Sequence, residues 1–420
     1  MKIKNIDDVA AYQLCCGCGA CAYTNPETFK MTDTLEFGRR PLRISTETDS
    51  GDAFTVCPGR SLEHGPEVKT PGLVKTLLPG WGPILDLWEG WALDEEVRFK
   101  GSSGGATTAL SLFALEKAGL SGVLHVAPRT DIPYLNQTVL SRSRDDIMKA
   151  VGSRYAPASP CDGLFMIEQT EGRCIVIGKP CDIAAVHKIV ALKPVLKEKI
   201  ALTISVFCAG TPSNKGVLAM LNALGATNPA SVLSVRYRGY GWPGATEIQY
   251  KNGGRIETKQ MTYEQSWGSI LQKFRQWRCY ICPDHTGEFA DISVGDPWYR
   301  SDRGINPGQS LILARTERGR AFLEAASAAH YLTMEKAEAD KLPASQPSLL
   351  TTRGSLWARL FTLRLFGVPV PVYTQFPLFI HFIKELSFLE KVKIFFKTAK
   401  RIFIKKLGHR QKIESFKDFS

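Results

Sequence analysis

Residues 14–25 read LCCGCGACAYTN, and within them Cys15, Cys18 and Cys21 are spaced C-x-x-C-x-x-C with Gly17 and Gly19 between. Thiolates at that spacing can wrap one corner of a cubane iron–sulfur cluster, because small intervening residues let the backbone curl and turn its N–H groups toward the sulfides. The fourth ligand must come from elsewhere. Cys57, in TVCPG, is the candidate, since a Cys-Pro accompanies a C-x-x-C-x-x-C run in bacterial ferredoxins. Zinc sites instead pair two C-x-x-C units or bring in histidine, so this spacing favours iron–sulfur over zinc. Cys16 is out of phase with the run and is expected to face away, its alternative role being a substitute ligand.

The remaining cysteines are scattered. Cys181 follows an apolar strand at 174–177 and a GKPC turn, with a helix from about Asp182. Cys208 follows an apolar strand near 200–206 and precedes a helix near 213–224. Strand, turn, helix repeated in this way is the signature of a parallel sheet. Both cysteines then sit just beyond the carboxyl ends of their strands, the edge at which open α/β sheets bind ligands. Cys279 and Cys282 add a C-x-x-C followed by Pro283. Spacing alone leaves open whether these four hold a second cluster or are ordinary buried cysteines. Cys161 and Cys174 read as core residues.

A third feature is a glycine-rich loop, Gly101-Ser102-Ser103-Gly104-Gly105, running into a helix that Gly119 ends, with a strand at 122–127 beyond it. Glycines permit close backbone approach to an anion, and a helix start offers free N–H groups. The pattern is neither a dinucleotide fingerprint nor a Walker A loop. A phosphate cradle and a plain turn therefore both remain open. Ser153-Arg154-Tyr155, after Gly152, could bring a cation and a ring to the same ligand.

The elements that must position these residues are bounded by the chain as a whole. It has 420 residues, enough for two or three domains, and ordinary apolar content. No apolar run reaches the ~18 residues of a spanning helix, and the first residues lack the apolar stretch of a secretory signal. A cytoplasmic location follows, where thiols stay reduced and clustered cysteines mean metal or redox chemistry. The eleven cysteines, an odd number, also fit a disulfide framework poorly. The net charge of +12 is concentrated at 384–412, with ten Lys or Arg against two Glu. No nucleic-acid motif accompanies it, so nucleic acid is not an expected partner.

Taken in order, CCGCGAC with CPG at Cys57, GSSGGATTAL, GSRYAPAS, GKPCDIAAV, FCAGTPS, RYRGYGWPG and CYICPDHTGEFADISVGD resemble the beta-subunit family of the coenzyme F420 (deazaflavin) hydrogenases and dehydrogenases. That family also includes ferredoxin-dependent reductases similar to 7-hydroxymethyl chlorophyll a reductase. The resemblance covers about residues 12–310. It implies FAD and up to two 4Fe–4S clusters, the second held by Cys181, Cys208, Cys279 and Cys282. It assigns Gly101, Ser102, Ser103, Gly104, Gly105, Ser153, Arg154 and Tyr155 to flavin binding. A small-molecule substrate, coenzyme F420 among the options, would stack on the flavin, and ferredoxin or a redox partner subunit would feed the outer cluster. Asp284, Glu288, Asp291 and Asp296, with His285, lie near the inner cysteines in sequence and are candidate proton donors. Asp291 and Asp296 have ordinary alternatives in capping a strand and holding a turn.

The expected fold is α/β, with mixed, largely parallel sheets and flanking helices. An N-terminal ferredoxin-like iron–sulfur segment at 1–90 precedes it, followed by a flavin-binding segment at 91–170 and a second α/β segment with the inner cysteines at 171–335. RYRGYGWPGATEIQYKNGGRIETKQ reads as a hairpin turning at Asn252-Gly253-Gly254. Residues 336–420 read as a proline-rich extended linker, VPVPVYTQFP, and a basic helix. In that helix, apolar residues recur at 386, 389, 392, 396, 399, 403 and 407, with Lys391, Lys397, Arg401 and Lys405 opposite. Contact with an anionic membrane and docking on the core or a partner are both open for it. Three functions compete: a flavin iron–sulfur reductase, a non-catalytic electron-relay subunit, and a structural zinc protein.

Overall fold

Apolar runs with no polar alternation can form strands only where both faces are covered. The run at 200–206 does so as the strand Ile200–Val206, every residue of which is buried except the last. It lies at the centre of an eight-stranded sheet in a computed structural model that describes residues 2–46, 51–300 and 306–416. Across the sheet the order is Leu332–Lys336, Asp86–Ala92, Ser310–Ala314, Ile292–Gly295, Ile200–Val206, Cys174–Gly178, Gly122–Pro128 and Asn136–Ser141. The four strands from Ile292–Gly295 to Gly122–Pro128 are mutually parallel. Beyond them, three strands on one side and Asn136–Ser141 on the other each pair antiparallel with the strand before. The sheet is thus mixed, with a parallel heart, and draws strands from all three of the segments expected before residue 336.

Period-two alternation then sends neighbouring residues to opposite layers. Val123 and Ile175 pack with Leu202 and Ile204 under the helices Ala106–Glu116 and Glu317–Ala328. Leu124 and Val176 pack on the other face with Ile183, Val186 and Ile189 of the helix Pro180–Leu192. The helix Asn214–Ala223 covers a different, three-stranded antiparallel sheet of Val232–Arg236, Thr246–Asn252 and Arg255–Met261. Its hairpin pairs Asn252 with Arg255 and leaves Gly253 and Gly254 at the turn, both with positive φ.

The C-terminal stretch is neither linker nor free tail. The helix Leu349–Leu365 buries Leu356, Leu360 and Leu363 in one core with Ile6, Val9, Leu14 and Phe29 from the chain's first residues. The proline-rich stretch is extended, as its composition requires, but Val372–Thr374 is pinned as a parallel strand beside Ser61–Glu63. A sequence window reads the prolines and cannot see the unpaired strand edge that captures them. The basic helix is two helices, Leu378–Lys384 and Phe388–Ile404, separated at Ser387, whose hydroxyl and Glu390 form a capping box.

A buried ion pair ties this stretch to the centre. The Glu288 carboxylate is paired with Arg353 of the helix Leu349–Leu365 and lies 2.8 Å from His64 Nε2. Glu288 and Arg353 are at most 3% exposed. Removing one partner of such a pair strands the other charge in a low-dielectric interior, at about 3–5 kcal/mol. Glu288→Ala is therefore expected to lower the denaturant midpoint by an amount equivalent to about 3 kcal/mol. A change below about 0.5 kcal/mol, the range of ordinary surface substitutions, would show that the pair does not hold the C-terminal helix down.

Candidate functional site

The first cysteine loop curls because Gly17 and Gly19 take φ of +76° and +90°. A side chain at either position would also strike backbone, the Gly17 Cβ lying 2.8 Å from the Arg39 carbonyl oxygen and the Gly19 Cβ 2.7 Å from the Asp162 nitrogen. The curl brings Cys15, Cys18 and Cys21 together with Cys57 around one small cavity, closed by Ile6, Val9, Met31 and Pro41. The Gly17 N–H donates to Cys15 Sγ at 3.3 Å. Burial pushes the Cys57 thiol up to about 12. Such dry, backbone-solvated thiols suit a cofactor that supplies its own positive charge. Cys16 does not turn away. It lines the same cavity and lies within hydrogen-bonding reach of both Cys18 and Cys181. Cys161 is fully buried, with its N–H on the Cys18 carbonyl at 2.9 Å, and Cys174 is fully buried beside Gly122.

Of the second set, Cys208, Cys279 and Cys282 are neighbours, whereas the cysteine beside Cys181 is Cys16 of the first loop. Cys181 opens the helix Pro180–Leu192, Cys208 follows the strand Ile200–Val206, and Cys279 and Cys282 flank the end of the short helix Trp277–Tyr280. Cys208 Sγ accepts from the Gly210 N–H at 3.4 Å, and Cys279 Sγ accepts from the Thr211 N–H at 3.3 Å. Burial pushes Cys208 and Cys282 up to about 12. Cys279 is an electrostatic neighbour of both. Among the described residues no three His, Cys, Asp or Glu side chains converge on a single-ion point. One tetrahedral ion with metal–sulfur bonds of about 2.3 Å would draw its sulfurs within about 4 Å of one another.

Arg278 lies between the two sets. It is 2% exposed and donates through Nη2 to the carbonyl of Pro58, next to Cys57, at 3.1 Å. Through Nη1 it donates to the carbonyl of Ile281, between Cys279 and Cys282, at 3.0 Å. Burial opposes its charge, but Tyr373, Cys282, Cys16 and Cys181 outweigh that and hold it protonated. Its Nε has no hydrogen-bond partner. Composition and spacing did not single this residue out. The one signal was its place immediately before the C-x-x-C.

The inner cysteines adjoin a large cleft. Cys208, Ala209, Gly210 and Thr211 form part of its wall, and its volume is about 590 Å³, within the usual range for cofactor sites. The parallel strands end on it through Val126, Ile177, Val206 and Val294, which places it at the carboxyl edge of the sheet. Ser102, Ser103 and Gly105 line it, followed by Thr107, Thr108 and Ser111 of the first helical turns. The Ser102 hydroxyl accepts from the Ser153 N–H at 2.9 Å, so the two polar loops meet. Gly101 and Gly104 serve the loop's own packing. A Gly104 Cβ would lie 2.8 Å from the Gln309 backbone, and a Gly101 Cβ 2.6 Å from the Val97 carbonyl oxygen.

One expectation changes here. Arg154 lines the cleft, but its guanidinium is consumed by Asn136 Oδ1 and the carbonyls of Val235, Pro133 and Leu135, at 2.7–3.2 Å. It braces the loop and is not a free cation. Lys179 and Arg238 also line the wall, paired with Asp182 and Asp296, and Arg275 adds a cation whose Nη1 donates to the Ala209 carbonyl while its Nε has no partner. Tyr155 lines the cleft and packs edge-on to Tyr237 with ring centroids 5.4 Å apart.

The candidate carboxylates also divide. Asp284 accepts three backbone N–H groups, from Thr286, Gly287 and Glu288, at 2.7–3.0 Å, and holds a turn. Glu288 belongs to the buried pair with Arg353. Asp291 accepts from Thr203 N and Oγ1, Thr316 Oγ1 and Arg318 Nη2, at 2.7–2.9 Å. None of these three lines the cleft: backbone N–H groups claim Asp284, and buried cations and hydroxyls claim Glu288 and Asp291. Asp296 and His285 do line it. Burial opposes ionisation of Asp296, yet Arg238, at 2.6 Å, holds its carboxyl below the usual range, and Ser103 and Trp242 donate to it. His285 Nδ1 lies 2.9 Å from the Cys208 carbonyl oxygen, and its Nε2 has no partner.

The chain is similar to proteins already known. Residues 87–165 match the sequence profile of the coenzyme F420 hydrogenase/dehydrogenase beta subunit N-terminus, and residues 172–340 match that of its C-terminus. An uncharacterized protein of Methanocaldococcus jannaschii is 26% identical over 79% of this chain and 92% of its own. The coenzyme F420 hydrogenase subunit beta of Methanosarcina barkeri is 27% identical over 54% of this chain and 73% of its own. In three dimensions, a chain of the F420-reducing NiFe hydrogenase complex from Methanosarcina barkeri superposes with a TM-score of 0.52. That match covers 67% of this chain and 95% of the other at 23% identity, a likeness of fold. The two profiles meet end to end across the sheet and its cleft edge, and the chain belongs to the coenzyme F420 hydrogenase/dehydrogenase beta subunit family.

Proposed function

We propose that this chain is a flavin- and iron–sulfur-dependent oxidoreductase. It would couple one-electron delivery, by ferredoxin or a partner subunit, to two-electron chemistry on coenzyme F420 or a small organic substrate. The observation that carries this reading is Cys208, which belongs to the inner cysteine set and also forms part of the wall of the 590 Å³ cleft. A one-electron site and a cofactor-sized site therefore share a wall. When bound, iron–sulfur clusters carry single electrons and a flavin converts two of them into a hydride.

The chain's own residues would do the rest. Cys15, Cys18, Cys21 and Cys57 would hold an outer 4Fe–4S cluster, and Cys181, Cys208, Cys279 and Cys282 an inner one. Ser102, Ser103 and Gly105 would hold FAD at the start of the helix Ala106–Glu116, with Thr107 and Ser111 adding hydroxyls. Arg275 would face the ligand's anionic part. Asp296, kept ionised by Arg238, would fix the loop through Ser103. Relatives named as hydrogenase and formate dehydrogenase beta subunits favour a second reading, an electron-relay subunit of a larger complex. A purely structural zinc site gives the cleft no task.

The test is anaerobic absorbance of the reconstituted chain mixed with reduced coenzyme F420 or with reduced ferredoxin. Bleaching of flavin and cluster bands by either donor is expected. Absence of both bands after reconstitution would overturn the proposal. A second prediction concerns the loop. Gly104 sits at φ +76° against the Gln309 backbone, and a β-branched residue there stores about 1–3 kcal/mol of strain. Gly104→Val is expected to weaken FAD binding by about tenfold or more while iron content is unchanged. FAD retention equal to wild type would remove the loop from the flavin site.

A further inference from the structure

The helix Phe388–Ile404 is held down along one side only. Thr398 and Ile402 are buried there, and Phe395 packs on Phe361 of the helix Leu349–Leu365 with ring centroids 5.7 Å apart. At about 100° per residue the remaining surface divides into two arcs. Phe388, Leu389, Val392, Phe396 and Phe403 share one arc and face solvent, Phe388 and Phe396 being 77% and 73% exposed. Lys393, Lys397, Lys400 and Arg401 share the next.

The apolar arc is part of a larger surface. Phe379, Ile380 and Ile383 of the helix Leu378–Lys384 are exposed beside it, as are Leu365 and Phe366, the latter edge-on to Phe403 at 5.9 Å. Among the described residues, thirteen of the twenty-four exposed large apolar side chains fall within residues 361–404. Scattered apolar residues need no explanation, but a concentration of this kind marks an interaction surface.

We propose that this face is an interfacial membrane anchor that lies on an anionic lipid bilayer. Charge selects the occupant. Residues 384–412 hold ten Lys or Arg against two Glu. Arg410 and Lys412 are paired with Asp8 and Glu414, and Arg401 lies over Tyr280. Lys393, Lys397 and Lys400 border the apolar arc, and both acids are engaged locally. Glu390 accepts from Ser387 in the capping box at 2.7–2.8 Å, and Glu385 lies 3.8 Å from His381. The rim is therefore of one sign, which fits anionic headgroups better than the mixed charges of a protein surface. The shape agrees. Phenylalanines protrude from a convex helix with lysines along its flank, the arrangement of helices that rest at the headgroup boundary. Among the described residues no helix is long and apolar enough to cross a membrane, so the contact is peripheral. The buried side of the helix Phe388–Ile404 shares a core with Cys15, Cys21 and Cys57, but the proposal concerns the face turned away from them and does not rest on the redox reading.

The test is co-sedimentation of the full cofactor-loaded chain with vesicles of phosphatidylcholine alone or mixed with phosphatidylglycerol. Binding to the mixed vesicles, reduced by salt, is expected. Phe388→Ser/Phe396→Ser/Phe403→Ser should weaken it by about tenfold or more. Lys393→Glu/Lys397→Glu/Lys400→Glu should abolish the preference for anionic vesicles. Unchanged iron and flavin content in both variants checks that they fold. Equal binding to both vesicle types, or full binding by the phenylalanine variant, would overturn the proposal. So would patch-dependent dimerisation in sedimentation velocity without lipid binding, which would put a second protein on this face.

Discussion

The Arg278 guanidinium is the point on which the two cysteine sets and the elements around them depend. It joins the carbonyl of Pro58 to that of Ile281, two residues that adjoin cysteines of different sets. A buried cation is expensive unless paired. Here two backbone carbonyls accept from it, so its hydrogen bonds are met only when the N-terminal loop and the C-x-x-C segment are both in place.

From that point the architecture follows in two directions. Inward, Cys208 and Cys181 sit where parallel strands end, because that edge leaves backbone N–H groups and helix starts unfilled. Outward, the N-terminal residues have too small a core of their own and share one with the C-terminal helix Leu349–Leu365. Glu288 and Arg353 lock that helix to the segment after the C-x-x-C, so residues far apart in the chain fix one another. Segment 345–352, at the start of the helix, then supplies Ser345, Leu349 and Thr352 to the cleft wall.

Strongly periodic pieces were legible in the sequence. The strands Cys174–Gly178 and Ile200–Val206, the helix after Lys179 and the hairpin at Gly253-Gly254 lie where the pattern put them, because each is decided by local apolar runs or turn chemistry. Long-range pairing was not legible. Val372–Thr374 is extended for local reasons but is a strand only because Ser61–Glu63 is beside it. Asp284 and Glu288 resembled proton donors since they carry the right groups near cysteines, yet hydrogen-bond demand from Gly287 and Arg353 claims them first. Arg154 is similar, a cation in a polar loop whose donors all go to carbonyls. Cys16 was misjudged from phase in the run, because a loop with two left-handed glycines has no fixed phase.

We propose that eight thiols form two cluster sites beside a cleft that takes a flavin. The most direct measurement is iron, sulfide and zinc quantitation on the anaerobically reconstituted chain and on single cysteine-to-serine variants. The account predicts about eight irons per chain in the wild type, from two cysteine-ligated cubanes. It predicts roughly half that content in Cys57→Ser and in Cys282→Ser, and the full content in Cys161→Ser, since each cubane takes four cysteines. Stoichiometric zinc in place of iron, or equal iron loss in all three variants, would contradict it.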